Sequence, residues 1–149
     1  MNFKMENENQ ELMVREENEI ALNMGVKNEI CTLDLSTIEG KKKMYNMLEK
    51  CDILLKDMIG QEINIKDIFV SQRDTIDKET GEIKNKYRVI LIDTVGKTYV
   101  TGSYGIFNCL RRLIQIFGMP TWEEGVKVKV VEQEMKDRKG KQLRLELVD

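Results

Sequence analysis

The spacing of apolar residues along this chain changes several times, and each change marks an element. Ile30 to Leu35 alternates apolar and polar positions, which predicts a short strand. Ser36, followed three residues later by Glu39, has the form of a capping box at a helix start. Beyond it Met44, Met47, Leu48, Cys51, Leu54, Leu55 and Met58 recur at three- and four-residue spacing. That pattern predicts one amphipathic helix, with its lysines mostly off the apolar stripe and its stop at Gly60. A Met-rich stripe of this kind reads as core rather than as a ligand groove.

From residue 61 the period becomes two. EINIKDIFVSQ is strand-like, and its parity shifts near Asp67, the mark of a bulge or bend. RDTIDKETGEIKN reads as a long polar connection, and KYRVILIDT as a strand covered on both faces. DTVGK is the turn of a hairpin leading into TYVTG. A helical period returns from Tyr104 to Phe117, where Phe107, Leu110, Leu113, Ile114 and Phe117 share an inward face and Arg111, Arg112 and Gln115 lie elsewhere. Gly118-Met119-Pro120 ends that helix, and Trp122 reads as a lid on the apolar end. VKVKVVEQEM and QLRLELV then alternate as two strands around the basic turn KDRKGK.

The order after residue 60 is therefore β-β-β-α-β-β. It is the order of the OB-fold, a five-stranded Greek-key barrel whose one helix plugs the barrel end. The expected class is mainly β with α. A five-stranded OB-fold barrel occupies 60–149, preceded by a short strand and an amphipathic helix packed as an extension over 20–59. An acidic flexible tail fills 1–19.

Composition narrows the chemistry. The chain has no histidine, which removes the commonest general base and the commonest metal ligand. Cys31, Cys51 and Cys109 are isolated and sit in apolar patterns, so they read as reduced core residues. Paired carboxylates such as Glu123 and Glu124, or Asp74 and Asp77, fall in connections, and GSYG lacks the lysine and spacing of a phosphate loop. No enzyme activity, catalytic residue, cofactor or metal is expected. No apolar run reaches the length of about 18 residues that spans a membrane, and the acidic start is unlike a signal peptide. A cytoplasmic chain with no membrane partner follows as the expectation.

The net charge of −2 conceals an uneven distribution. Residues 1–20 carry Lys4 and Arg15 against six glutamates, whereas residues 60–149 carry 16 basic and 14 acidic side chains. A near-neutral total thus leaves a polyanion partner open, because local fields decide binding. An OB barrel holds single strands across the outer face of its second and third strands, between the 1–2 and 4–5 loops. On that plan the candidate nucleic-acid contacts are Arg73, Lys86, Tyr87, Arg88, Lys97, Tyr99 and Tyr104, with Lys136, Arg138, Lys139 and Lys141 in the 4–5 turn. Rings stack on bases and cations follow the phosphates. With Thr98 and Val100 inward, Tyr99 points out beside Lys97 and Thr101. Tyr87 shares its parity with Val89 and Leu91, so core and contact are both open to it. The basic turn is open to a bland reading too, as a solvated tip.

IGQEINIKDIFVSQ, TYVTGSYGIFNCLRRLIQIFGMPTW and the closing hairpin, with the helix STIEGKKKMYNMLEKCDILLKDMIG before them, resemble small single-stranded DNA-binding proteins of phages and plasmids of Gram-positive bacteria. The resemblance covers roughly residues 28–148. It implies an OB-fold accessory of replication or recombination that coats and protects single strands with little sequence preference, in the bacterial host cytoplasm. Housekeeping bacterial proteins of this kind end in an acidic tail that recruits partners, whereas here the acidic segment is N-terminal and LRLELVD lies inside a strand. RNA in place of DNA stays open, since nothing in these residues distinguishes the sugars. A second copy of the chain and replication or recombination proteins are further candidate partners. The rival reading is an OB-fold protein–protein adaptor working through the acidic tail or the Met-rich helix.

Overall fold

The computed structural model describes residues 26–136 and 139–148. In chain order the elements are β1 (Val26–Cys31), α1 (Ile38–Glu49), β2 (Ile53–Leu54), a 3-10 turn (Leu55–Met58), β3 (Glu62–Ile76) and β4 (Ile83–Asp93). They continue with β5 (Thr98–Thr101), α2 (Tyr104–Phe117), β6 (Val126–Glu134) and β7 (Lys141–Leu147). The acidic segment 1–19 and Arg138 lie outside the described residues. The fold is mainly β with two helices: one mixed, curled sheet ordered β2-β5-β4-β3-β6-β7, with β1 added beside β3. Among the described residues only β2 and β5 run parallel.

β3 organises the sheet. One of its edges pairs with β4 from Ile65 to Ile76. Its other edge pairs first with β6 (Glu62 to Ile65) and then with β1 (Phe69 to Arg73). The changeover falls at Lys66, where the β3–β4 register slips by one residue, so the parity shift read near Asp67 is a bulge. No strand partner remains for the backbone there, and other groups supply the bonds. The Lys66 carbonyl accepts the Trp122 N–H at 2.9 Å. The Asp67 carboxylate accepts the hydroxyls of Thr32 at 2.8 Å and Thr121 at 2.6 Å. The slip keeps Ile63, Ile65, Ile68 and Val70 on the same side, all within the main core.

Two cores result. The larger lies inside the curl, where the apolar face of α2 (Ile106, Leu110, Leu113) meets the inner residues of β3, β4 and β6. The smaller lies outside it, where Met47 of α1 packs on Phe69, Ile90 and Ile92, with Val100 partly buried beside them. β4 is therefore covered on both faces from Val89 to Asp93, the apolar part of the run KYRVILIDT. α2 has the bounds its periodicity gives. Ser103 accepts the Ile106 N–H at its start, and Gly118 closes it at φ +84°. Trp122 is a buried lid, its indole N–H bonded to the Gly118 carbonyl at 3.0 Å.

Four sequence expectations need correction. The first strand begins at Val26 and ends at Cys31, because its register follows β3 and the chain turns away at Thr32 to bond Asp67. Thr37, not Ser36, caps α1: its hydroxyl accepts the Gly40 N–H at 3.0 Å, while Ser36 is held by Asp34. The helix stops at Glu49 rather than Gly60, and its stripe is shared between the cores, Met47 going to the smaller and Leu55 to the larger. Asp52 fixes the break, accepting the backbone N–H of Thr98 at 2.9 Å and its hydroxyl at 3.0 Å, which lays β2 along β5. Finally, Phe117 is 47% exposed at the rim, edge-on to Trp122 with centroids 6.3 Å apart.

Leu55 has no exposed surface. Leu55→Ala should therefore cost about 2–5 kcal/mol of unfolding free energy in a urea titration. A loss within about 0.5 kcal/mol, the range of surface substitutions, would show that residues 53–58 do not belong to the main core.

Candidate nucleic-acid interface

The polar stretch 73–85 does not form a long loop. β3 and β4 run on through it as a two-stranded arm, paired from Gln72↔Tyr87 to Ile76↔Ile83. The turn is confined to Asp77–Glu82. Asp77 accepts the Glu79 N–H at 2.9 Å, which holds its carboxyl below the ordinary range, and Gly81 supplies a φ of +73°. Alternation across the pleat gives the arm two unlike faces. Arg73, Lys84, Lys86 and Arg88 share the outer face, where Arg73 pairs with Lys86 and Ser71 with Arg88. Tyr87, Asn85 and Ile83 share the inner face with Gln72, Asp74 and Ile76.

Tyr87 does not stand alone. Its ring lies 4.7 Å from Phe107 and 5.3 Å from Tyr104, and Tyr104 and Phe107 are 6.0 Å apart at 27°. Tyr104 is 51% exposed and Tyr87 half-buried, so two polar-tipped rings meet solvent over an apolar base. Gly105 sets this geometry: a Cβ there would collide with the Leu143 carbonyl and the Gln142 side chain. The first turn of α2 thus lies directly on the start of β7. That contact brings the base of the β6–β7 hairpin, with Lys141, beside the rings. Lys136 and Lys139 are exposed in the same hairpin turn. Lys141 reaches Glu132 at 3.6 Å, an exposed pair worth at most about 1 kcal/mol.

The other candidates separate from this group. Lys97 is exposed in the β4–β5 turn, at the end of β4 away from the arm. Tyr99 overturns its expectation. It is 4% exposed, faces the main core, and donates its hydroxyl to Asp93 at 2.8 Å. The outward positions on β5 are instead Thr98 and Val100, covered by Asp52 and the α1 core. Alternation alone gave the wrong face because α1 buries the side that an isolated barrel would leave wet. Asp93 makes the burial of Tyr99 tolerable, since its other oxygen accepts the Val95 and Lys97 N–H groups and fixes the turn.

Two residues escaped the sequence reading. Phe107 was assigned to the core alone, yet it forms the base of the ring cluster. Tyr45 was not singled out, although it is 66% exposed on α1. Its signal was an aromatic one position off the apolar stripe, four residues after Lys41. Burial pushes the Cys31 and Cys51 thiols up.

A curled sheet that sets solvent-facing rings between two basic hairpins has the equipment of a protein that holds unpaired nucleic acid. The family model described as phage single-stranded DNA-binding protein, of the Phi29 type, matches residues 24–147, and the chain belongs to that family. It is a family of DNA-binding proteins rather than of enzymes, and the ligand class is single-stranded DNA. No curated protein and no solved structure matches the chain. No helix among the described residues is long and apolar enough to cross a membrane.

Tyr99 generates a pH prediction. Burial first, and then the bond to Asp93, push its hydroxyl up to about 12. The folded protein thus favours the neutral phenol, so the associated stability is complete below the unfolded value of about 10 and lost as pH rises through 12. An ultraviolet phenolate titration should show one of the four tyrosines ionising last, near pH 12. The steep fall in unfolding free energy over that window should be absent in Tyr99→Phe. An equal fall in both proteins would exclude Tyr99 as its source.

Proposed function

We propose that the chain coats single-stranded DNA without reading its sequence, and protects it during replication or recombination of a phage or mobile element. The barrel is of the OB type: β3, β4 and β5, then α2, then β6 and β7, with α2 plugging the inside of the curl. The observation that carries the reading is the ring cluster of Tyr87, Tyr104 and Phe107, set between the arm and the β6–β7 hairpin. Bases stack on Tyr104 and Tyr87, while Lys136, Lys139 and Lys141 on the hairpin beside them neutralise phosphates. Every base has a π face, so such a surface is indifferent to sequence. Each phosphate neutralised releases counterions, so affinity depends steeply on salt. Tyr99 has no part in this surface.

Fluorescence titration with oligo-dT, single-stranded RNA and duplex DNA over a range of salt tests it. Oligo-dT should bind more tightly than duplex, with log affinity falling linearly in log salt. Tyr104→Ala and Tyr87→Ala should each weaken oligo-dT binding by about 1–3 kcal/mol. Equal or tighter binding to duplex would sink the proposal, and equal binding to RNA would widen the ligand class to both sugars.

A further inference from the structure

A second groove lies on the opposite face of the same two strands. α1 seals only the middle of the sheet's outer face, through Met47, Phe69, Ile90 and Ile92. Beyond the helix edge a cavity of about 640 Å³ remains, walled by α1 on one side and by β1, β3 and β4 on the other. Its floor is apolar, with Met44, Leu48 and Phe69. Its rim carries Tyr45 and Lys41 from α1, and Arg73 and Arg88 from the sheet. Among the described residues Glu29 is the only carboxylate lining it, against three cations.

Resting on the single-strand reading above, we propose that this groove carries a further stretch of the same DNA strand, with Tyr45 as its stacking ring and Lys41, Arg73 and Arg88 as its phosphate contacts. The ligand chemistry follows from the lining. A flat apolar floor under an exposed ring accepts a base, and a rim of cations accepts the backbone on either side. Arg88 is already positioned. Its guanidinium donates to the Leu48 carbonyl at the end of α1 at 2.8 Å, so it loses little freedom when a phosphate takes its other N–H groups. Continuity with the ring cluster is given by the register. Arg88 and Lys86 face the groove while Tyr87 between them faces the rings, so only the thickness of one ribbon separates the two surfaces. β4 pairs with β5 only from Val89 to Ile92, so its edge along the arm has no β5 strand over it, and DNA can pass from one face to the other there.

The test compares two lengths of oligo-dT, about 5 and about 16 nucleotides, near the two ends of the range one such fold covers. Tyr45→Ala and the double variant Lys41→Gln/Arg73→Gln should weaken the longer strand by about 5- to 100-fold and leave the shorter one unchanged. The double variant should also lower the salt slope by about two. Tyr45→Phe should bind as the unchanged protein does. Tyr45 is 66% exposed, so its thermal midpoint serves as a control that should not move. Three outcomes overturn the inference. If Tyr45→Ala leaves both lengths unchanged while Tyr104→Ala weakens both, the groove carries no DNA, and an acidic protein segment becomes the occupant to seek; the function proposed above then stands. If Tyr45→Ala weakens both lengths alike, the groove is part of one short site rather than a further stretch. If the unchanged protein binds neither length, the single-strand reading fails together with this one.

Discussion

The constraint on which the structure depends is the gap at Lys66 and Asp67 on the edge of β3 that passes from β6 to β1. One strand there must leave β6, meet β1 and keep β4 throughout, which a regular ladder cannot do. The bulge solves the geometry but leaves backbone groups without strand partners in a buried place. The Thr32 hydroxyl accepts the Ile68 N–H and the Trp122 N–H takes the Lys66 carbonyl, while the Asp67 carboxylate accepts the hydroxyls of Thr32 and Thr121 and holds both in place. Hydrogen bonds to a charged group contribute about 1.5–3 kcal/mol each, and an abandoned buried carboxylate costs more. The same three residues therefore decide where the chain enters and leaves the sheet. They also set which way Ile68 and Val70 point.

The second decision is made by α1. By packing on Phe69, Ile90 and Ile92, it removes the centre of the outer sheet face from solvent. What stays exposed lies on either side of the arm: rings within the curl and a cationic groove outside it. β2 and Leu55 then tie the segment after the helix to the edge of β5 and to the main core. The N-terminal elements thus shape the faces left exposed as well as support the sheet.

Much of this was legible in the residues. The parity change near Asp67, the DTVGK turn, the limits of α2 and the closing hairpin all followed from local spacing and turn chemistry, which need no partner to be read. The errors have one physical source. Where a side chain's face depends on a distant element, period alone does not identify it. Tyr99 was turned outward because nothing near it in sequence announces that α1 covers Thr98 and Val100. The stripe through Met58 looked like one helix because two cores drawing on a single apolar pattern leave the same spacing as one. The arm looked like a loop because its strands are polar. Its alternation is of arginine and lysine against glutamine, aspartate and tyrosine, without the apolar contrast that marks a buried strand. The ring cluster was half legible: Tyr87 and Tyr104 were singled out, but their meeting depends on Gly105 letting α2 rest on β7.

The arm also has a dynamic consequence. Beyond Arg73 and Lys86 it is a two-stranded ribbon past the reach of either core, closed by one turn and a Lys84–Asp77 pair at 3.4 Å. Ribbons of two strands are marginal by themselves, so this one retains conformational entropy that the rest of the sheet has already given up. A ligand on either of its faces must remove that entropy, and the cost is met once. If DNA occupies both faces as proposed, the face bound first stiffens the ribbon for the other, and occupancy of the two surfaces would be positively linked with no change in mean shape.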